Sequence, residues 1–410
     1  MFKTVSVADQ KNSYRNSEPP GYLKKRMQPR LASIPFLIFL SCLPQPTYSQ
    51  IPTRAPTTAG KYLQITDSKI YYEECGSGPA VVLLHDGLLH SNTWDQAWPA
   101  LCKKYHAIRY DRRGYGHSNQ PETRFAPAED LFALLNHLDV HRAIVVGNSS
   151  GGALAIDFAL AHPQMVEGLF LVGPVVGGMD TTDHFNERGA KNGAPIAKGD
   201  LKAAAENWSK DQYIVAAGHD AARKIIFDTL VQYPQNLTNS HQLEIQNTMP
   251  AVYRLSEIHA PTAILVGEFD IPDVHAQSGA IQAGIPGAQR DILNNAGHLI
   301  QVEAPAAFVE KLGEFVNLQE RQGIEVPAAI LQSYVGKYGA GPFEMTVALR
   351  AGQLQLQTPG VPPLPMFAES QTKFFMKSFQ VEIEFTKDAN GKITQAIIYQ
   401  GGDTFKLARL

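Results

Sequence analysis

Several kinds of residue are scarce in this sequence, and each scarcity excludes a class of protein. Only 3 of the 410 residues are cysteine, too few for a disulfide scaffold or a four-cysteine zinc site. Charged residues make up 18%, the formal net charge is −3 and no long basic run is present, so the positive field of a nucleic-acid-binding protein is missing. No apolar run reaches the roughly 18 to 20 residues of a membrane-spanning helix. We therefore expect no nucleic-acid partner and no stable membrane span.

What the sequence does contain favours a globular protein. Hydrophobic residues make up 44% of the chain, which is enough to form a core and more than a mainly disordered chain contains. The length of 410 residues indicates two domains, because one domain usually holds about 100 to 200 residues.

Residues 1–50 have the layout of a secretory signal peptide. The basic residues Lys24 to Arg26 precede an apolar run from Leu31 to Leu43, and a short polar segment reaches Ser49. The apolar run is too short to remain as a membrane anchor. We expect cleavage after Ser49 and export to the periplasm or the cell exterior, with Met27 as an alternative start.

The three cysteines leave two questions open. Cys42 could carry a lipid anchor, but Phe39-Leu40 before it matches a lipoprotein signal poorly, so this is the less favoured alternative. Cys75 and Cys102 could pair in an oxidising compartment, or they could be two buried free thiols.

Residues 61–316 alternate between strand-like and helix-like patterns. Short continuous apolar runs, typical of strands buried on both faces, occur at Ala80–Leu84, His106–Tyr110, Ala143–Val146, Gly168–Val172 and Thr262–Val266. Helical patterns occur at Thr93–Lys104, Ala128–Leu138 and Gly152–Ala161. This alternation predicts an α/β domain with a mostly parallel sheet and helices on both faces.

Two segments depart from the alternation. Residues 179–249 lack a buried-strand run and predict a helical cap over one end of the sheet, with helical patches at Leu201–Trp208, Asp211–Ala217 and Ala221–Leu230. After a linker at 317–326, residues 327–410 alternate with period two between turns, as in Glu344–Leu349. That pattern predicts a small antiparallel all-β C-terminal domain.

A Gly-x-Ser-x-Gly motif, Gly147 to Gly151, lies between a predicted strand and a predicted helix. In that setting the chain turns sharply and lifts the central serine, Ser149, above the sheet at the N-terminus of the helix. Ser150 does not fit the nucleophile position, because Asn148 would then stand where the motif requires glycine. We therefore predict Ser149 as a nucleophile.

A serine hydroxyl is a poor nucleophile without a base, and the sequence offers one in His298. Asp270 directly follows a predicted strand. The chain order Ser149, Asp270, His298 suits a catalytic triad, in which the histidine takes the serine proton and the aspartate orients the ring. Asp273 is an alternative acid.

The same arrangement requires two backbone amides that stabilise an oxyanion. They are predicted at Ser150 and, in the loop after the first core strand, at Gly87. Apolar side chains flank these loops and predict a substrate pocket formed by Leu88, Trp94, Ile271, Leu299 and Ile300. We predict no metal and no cofactor.

Together these segments resemble the α/β-hydrolase superfamily over residues 61–316. The residues that carry the resemblance are His85–Gly87, Asp111–Ser118, Gly147–Gly151, Gly267–Asp270 and Gly297–His298. The resemblance implies that Asp111–Ser118 is a structural brace near the site. Asp86 departs from the family, which usually has glycine there, and its carboxylate could oppose negative charge in the oxyanion hole.

The C-terminal residues 334–410 resemble a lipocalin-like β domain that is appended to some secreted bacterial serine enzymes. This second resemblance implies an accessory role for the C-terminal domain.

The function that we favour is a serine hydrolase that cleaves a carboxylic ester, or a related acyl bond, of a small hydrophobic substrate through an acyl-enzyme. The resemblance leaves peptidase, carbon–carbon bond hydrolase and cofactor-free peroxidase activities as alternatives on the same triad. A non-catalytic binding protein that uses the C-terminal β domain is an alternative of a different class.

Overall fold

The computed structural model describes residues 60–65, 67–239, 241–378, 381–400 and 402–410. The leader predicted over residues 1–50, the alternative start at Met27 and the cysteine Cys42 lie outside the described residues. Within the described part, no helix is long and apolar enough to cross a membrane.

The N-terminal part of the described chain forms one eight-stranded sheet. Its strands are β1 (Lys61–Ile65), β2 (Ser68–Cys75), β3 (Ala80–Leu84), β4 (His106–Tyr110), β5 (Ala143–Asn148), β6 (Val166–Val172), β7 (Thr262–Gly267) and β8 (Gln289–Leu293). They are ordered β1-β2-β4-β3-β5-β6-β7-β8. The pairs β1–β2 and β2–β4 are antiparallel, and the other pairs are parallel.

Helices lie between and after these strands and cover both faces of the sheet. Those described are α1 (Trp98–Cys102), α2 (Pro127–His137), α3 (Ser150–Ala161), α4 (Asp183–Gly193), α5 (Leu201–Lys210), α6 (Asp220–Gln232), α7 (Gln235–Thr238), α8 (Pro272–Gly284), α9 (Ile300–Glu303) and α10 (Pro305–Glu320). One further helix, α11 (Ala328–Tyr334), belongs to the C-terminal domain. The pattern at 93–104 predicts a single helix, but the structure has a 3-10 turn followed by α1. Pro99 lies in the first turn of α1, where its missing amide is tolerated, whereas a longer helix running through it would lose a hydrogen bond.

The central strands are buried because their side chains alternate between two apolar cores. Val82 packs in one cluster with Phe158 of α3 and Ile281 of α8. Its neighbour Val81 points the other way and packs in a second cluster with Phe308 of α10. The sheet is therefore rigid where its carboxyl ends emerge, which is where ligands bind in such sheets.

The segment between β6 and β7 is the predicted cap and contains α4 to α7. Helices α5 and α6 agree with two of the predicted helical patches, but the helix predicted at Asp211–Ala217 is wrong, because this segment is irregular. The Asp211 carboxylate accepts a hydrogen bond from the Tyr213 amide at 2.9 Å, a local bond that competes with helix formation.

The predicted linker at 317–326 begins later in the structure, because α10 continues to Glu320. Gln319 in its last turn is buried and exchanges hydrogen bonds with Lys377 of the C-terminal domain. Arg321, just after the helix, pairs with Glu369 and Glu382. These contacts hold the last helical turn against the C-terminal domain.

The C-terminal domain is an antiparallel sheet, as predicted. Its described strands are β9 (Gly336–Ala340), β10 (Phe343–Arg350), β11 (Gln353–Gln357), β12 (Leu364–Pro365), β13 (Phe367–Ala368), β14 (Lys373–Phe375), β15 (Val381–Lys387), β16 (Ile393–Gln400) and β17 (Asp403–Arg409). They are ordered β12-β11-β10-β9-β17-β16-β15-β14-β13. Met366 alone separates β12 from β13, so the two edges of the sheet belong to one continuous segment and the sheet curls into a nearly closed barrel.

Helix α11 in this domain is not predicted by the period-two pattern. Its Tyr334 is fully buried and stacks on Phe385 of β15 with 4.4 Å between ring centroids. The helix therefore closes one end of the barrel. The fold class predicted from the sequence, an α/β domain with a helical cap and an all-β C-terminal domain, is confirmed.

Cys75 and Cys102 form a disulfide bond, which resolves the two alternatives that the sequence leaves open. The bond joins the end of β2 to the end of α1.

Candidate active site

Ser149 occupies the turn between β5 and α3. Its φ is 55° and its ψ is −118°, a conformation that is costly for a residue with a side chain and that is found where function requires it. The preceding strand is buried along its whole length, so the strain is carried by a rigid element. The Ser149 side chain is half-buried.

The two glycines of the motif are required by the close approach of neighbouring backbone. A Cβ on Gly147 would overlap the carbonyl oxygen of Gly151, and a Cβ on Gly151 would overlap the carbonyl oxygen of Leu84 in β3. The turn can therefore form only because both positions lack a side chain.

Asp270 and His298 are brought together from two loops at the same edge of the sheet. Nδ1 of His298 is 2.8 Å from Oδ1 of Asp270, which also accepts the Ile271 amide at 2.6 Å. Both side chains are buried. The carboxylate thus holds the ring with Nε2 directed away from it, which is the tautomer that a general base requires.

Opposing influences act on the pKa of His298, and the net result is a raised value. Burial is the largest influence and lowers the pKa, because it disfavours the charged ring. The charge of the Asp270 carboxylate and its hydrogen bond raise the pKa and, with a smaller contribution from Asp86, outweigh burial. The positive charge of Arg188 in the cap lowers the pKa slightly, so this charge is close enough to act on the ring.

Asp273, the alternative acid, is engaged elsewhere. Its carboxylate accepts the Thr182 amide at 2.7 Å and the Thr182 hydroxyl at 2.9 Å. Thr182 is in turn the N-cap of α4. Asp273 therefore anchors the start of the cap.

Asn148, next to Ser149, ties the serine turn to the histidine loop. Its Nδ2 donates to the carbonyl oxygens of Val172 and His298, at 2.8 and 3.2 Å. Its Oδ1 accepts from Gln301 at 3.0 Å. Among the described residues, the structure shows no hydrogen bond to the Ser149 hydroxyl and none to Nε2 of His298; the side-chain bond of the His298 ring runs through Nδ1 to Asp270.

Glu303 holds the loop that contains Gly297 and His298 in place. Its carboxylate accepts the Gly297 amide at 3.0 Å and the Ala216 amide at 2.8 Å. The backbone of the irregular cap segment completes the support, since the carbonyl of Tyr213 accepts the His298 amide at 2.9 Å. The segment that fails to form a helix is therefore bonded to the proposed base.

Asp86 is turned towards its own loop. Its Oδ1 accepts the amides of Leu88 and Leu89, at 2.7 and 2.8 Å. These two bonds leave the Gly87 amide without an acceptor among the described residues. The carboxylate thus shapes the loop, and it raises the pKa of His298 only as a lesser cause.

Arg112 joins the two loops that carry the predicted oxyanion amides. Its Nη2 donates to the carbonyl oxygen of Asp86 at 2.7 Å and to the hydroxyl of Ser150 at 2.9 Å. The ideal Cβ position of Gly87 lies 3.2 Å from that hydroxyl, so Gly87 and Ser150 are neighbours. Tyr115 adds a further bond from its hydroxyl to the Gly87 carbonyl at 3.2 Å.

The five predicted pocket residues occupy different environments. Leu88 is partly exposed beside the serine turn, whereas Ile271 and Leu299 are buried in the cluster that also contains cap residues. Trp94 and Ile300 are fully buried in the opposite cluster, where Trp94 packs on Phe308 with 5.4 Å between centroids. Those two side chains therefore contribute to core packing.

One group of described residues has the spacing of metal ligands, namely His90, Asp111 and His117. Asp111 is already bonded through Oδ1 to the Ser91 amide and through Oδ2 to the His117 amide, at 2.9 and 2.8 Å. It thus stabilises the turn that presents Arg112, in agreement with the brace that the resemblance implies.

Sequence reasoning missed three supporting residues: Arg112, Asn148 and Glu303. Arg112 and Asn148 lie inside motifs that the sequence does reveal, so their positions were a usable signal. Glu303 has no such signal, because it bonds to backbone amides, which every residue type carries, and one of them, that of Ala216, is distant in the chain.

Comparisons with known proteins agree with this architecture. Residues 81–311 match a sequence family described as the alpha/beta hydrolase family. Residues 320–408 match a family described as a domain of unknown function.

Three individual relatives each match about 60% of this chain. A 2-hydroxy-6-oxononadienedioate/2-hydroxy-6-oxononatrienedioate hydrolase from Cupriavidus pinatubonensis is 28% identical over 61% of this chain and 91% of its own length. A pimeloyl-[acyl-carrier protein] methyl ester esterase from Nitrosospira multiformis is 26% identical over 60% of this chain and 97% of its own length. The solved structure of Est816, described as an N-acyl homoserine lactone degrading enzyme, has a TM-score of 0.52 and 27% identity over 62% of this chain and 100% of that chain.

Proposed function

The chain belongs to the alpha/beta hydrolase family and is a hydrolase, and from that premise we propose that Ser149, His298 and Asp270 form a triad that cleaves carboxylic esters. The observation that carries the proposal is the buried His298–Asp270 pair, 2.8 Å apart, at the same sheet edge as a serine in a strained strand-to-helix turn.

In the first step Nε2 of His298 takes the proton of the Ser149 hydroxyl as its oxygen attacks the ester carbonyl carbon. Asp270 keeps the second ring nitrogen protonated and stabilises the imidazolium that forms. The carbonyl oxygen gains negative charge and is stabilised by the amides of Gly87 and Ser150. His298 then protonates the leaving alcohol, and the acyl group remains on Ser149.

In the second step water replaces the alcohol. His298 removes a proton from that water, the water oxygen attacks the acyl carbon, and the acid leaves as Ser149 regains its proton. Neither step requires a metal or a cofactor.

We propose esters or lactones of small hydrophobic acids as the substrate class. The apolar residues Leu88, Ile271 and Leu299 beside the site support a hydrophobic acyl group. One relative is described as a methyl ester esterase, and the Est816 structure is described as an enzyme that degrades N-acyl homoserine lactones. Carbon–carbon bond hydrolysis is the second candidate, because the relative from Cupriavidus pinatubonensis has that type of substrate in its name.

We also propose that the protein is exported. The disulfide between Cys75 and Cys102 supports this, because such bonds persist mainly in oxidising compartments. Mass spectrometry of the mature protein from the producing cells tests it. A first residue near Gln50 is expected, whereas a first residue at Cys42 with a bound lipid would indicate a lipid anchor; an intact N-terminus in the cytoplasm would contradict export.

Labelling with a fluorophosphonate probe tests the nucleophile. We expect one covalent adduct on Ser149, lost in Ser149→Ala. The neighbouring variant Ser150→Ala is the matched control and should still form the adduct on Ser149, because the Ser150 backbone amide is kept, although loss of the bond from Arg112 should slow the labelling. An adduct that persists in Ser149→Ala, or no adduct in the folded wild-type protein, would rule the proposal out.

A substrate panel then separates the two candidate reactions. Esters of graded acyl length, lactones and a vinylogous diketone should be turned over in that order of preference, each dependently on Ser149. Preference for the diketone would favour the second candidate while leaving the nucleophile unchanged.

A further inference from the structure

The barrel of the C-terminal domain is filled at one end and hollow at the other. At the filled end Tyr334 of α11 stacks on Phe385, and Phe374 and Tyr338 pack around the pair, with centroids 5.6 Å and 5.5 Å from Tyr334 and Phe385 respectively. At the other end lies a cavity of about 650 Å³. A volume of this size is typical of a small-molecule site, and barrels of eight or more strands are wide enough for one such ligand.

The wall of the cavity is aliphatic. Its inward side chains belong to Met345, Leu356, Val361, Leu364, Met376, Val381, Ile398 and Leu407. The two methionines are flexible and adapt to ligands of varied shape. Among the described residues no aromatic ring lines the depth of the cavity, so none of them would stack on a flat ligand there.

No charged side chain among the lining residues points inward. Side chains alternate along a strand, so Glu344 and Lys406 point outward beside the inward Met345 and Leu407. Glu344 also pairs with Lys337 at 2.8 Å on the outer surface. A charged group would find no counter-ion in the depth of the cavity, and burial there would be costly.

The side chains at the mouth of the cavity differ in kind from those in its depth. Phe343 and Phe405, both exposed, lie at its rim, where their side chains are 67% and 44% accessible. Gln400 and Thr358 add polar groups at the same end. A ligand with an apolar chain and a polar head would bury the chain and leave the head at this rim.

We propose that the C-terminal barrel binds a single long, unbranched acyl chain, such as that of a fatty acid, with its polar head at the mouth. The aliphatic wall, the cavity volume and the absence of inward charge together favour this ligand over a flat aromatic or a charged molecule. The site is separate from the triad and does not depend on Ser149 being the nucleophile.

The two adjacent isoleucines of β16 provide a matched pair of variants. Ile398 pairs in register with the inward Phe405, whereas Ile397 pairs with the outward Lys406. Ile398→Trp would fill the cavity, and Ile397→Trp would add the same ring outside. Binding of cis-parinaric acid to the full-length chain, followed by its fluorescence, should weaken about ten-fold or more in Ile398→Trp and stay unchanged in Ile397→Trp.

Turnover of a short soluble ester should be the same in both variants and in the wild type, because neither residue lies near the triad. Equal parinarate affinity in all three proteins would overturn the proposal, and so would equal weakening in both variants.

A second measurement does not rely on a substitution. The wild-type chain, irradiated with a diazirine derivative of palmitic acid and then digested, should carry the label on peptides within residues 343–407. Label confined to residues 81–311 would place the fatty acid in the hydrolase domain and overturn the proposal, even if Ile398→Trp proved unable to fold.

Discussion

The bond between His298 and Asp270 sets the pH at which the proposed base becomes neutral. Since the net effect of the surroundings is to raise the pKa of His298 above its ordinary 6.5, more of the ring is protonated and inactive at a given pH. The value of kcat/KM for a soluble ester should therefore rise with pH, with a midpoint above 6.5. A profile that stays flat between about pH 5 and 8 would contradict the assignment of His298 as the base.

Asp270→Asn should change both the rate and the midpoint. The amide cannot hold the same tautomer, so kcat should fall by about 10²- to 10⁴-fold. The loss of the carboxylate charge should also move the midpoint of the remaining activity to lower pH. Asp273→Asn is the matched control and should leave the midpoint in place, since that side chain bonds to Thr182.

Arg112 acts through the two loops that it joins. Arg112→Gln should remove the link between Asp86 and Ser150, misalign the two oxyanion amides and lower kcat by about 10- to 10²-fold, with little change in KM. The exposed Arg142 provides the control Arg142→Gln. Equal kcat in the two variants would show that the loops hold their shape without the guanidinium.

At the scale of whole elements, the irregular cap segment and the histidine loop form one unit. Glu303→Gln should break it, because an amide side chain cannot accept from Gly297 and Ala216 without placing its own NH₂ against an N–H. The free energy of unfolding should fall by about 1 to 3 kcal/mol, measured by urea titration, and kcat should fall as well. Glu310→Gln on the exposed face of α10 should change neither.

The parallel strands could be predicted from the sequence because each is buried on both faces and shows a continuous apolar run. The three proposed triad residues could be predicted equally well, since each lies beside a glycine or a strand end that the sequence marks. The irregular course of Asp211–Ala217 could not be predicted. Its backbone accepts hydrogen bonds from the amides of His298 and Leu299, which are distant in the chain. The same holds for Trp94 and Ile300, whose apolar character does not reveal which side of the sheet they face.

At the scale of the whole molecule, the disulfide between Cys75 and Cys102 closes a loop in the first domain. Replacing both residues by serine should lower the free energy of unfolding by about 2 to 4 kcal/mol, mainly because the unfolded chain gains freedom. A reducing agent should lower the melting temperature of the wild-type protein and leave that of the double variant unchanged. A wild-type melting temperature that ignores the reducing agent would argue against a formed bond.

The nearly closed barrel also constrains the order in which the molecule can be assembled. Strand β17 is the last of the described strands, yet it lies between β9 and β16. All strands of the first sheet, by contrast, precede Pro305, so that domain can fold while later residues are still emerging. Until β17 has been synthesised, β9 has an unoccupied edge that a neighbouring chain could capture. Slow or interrupted synthesis of residues 403–409 therefore exposes the second domain to mispairing between copies.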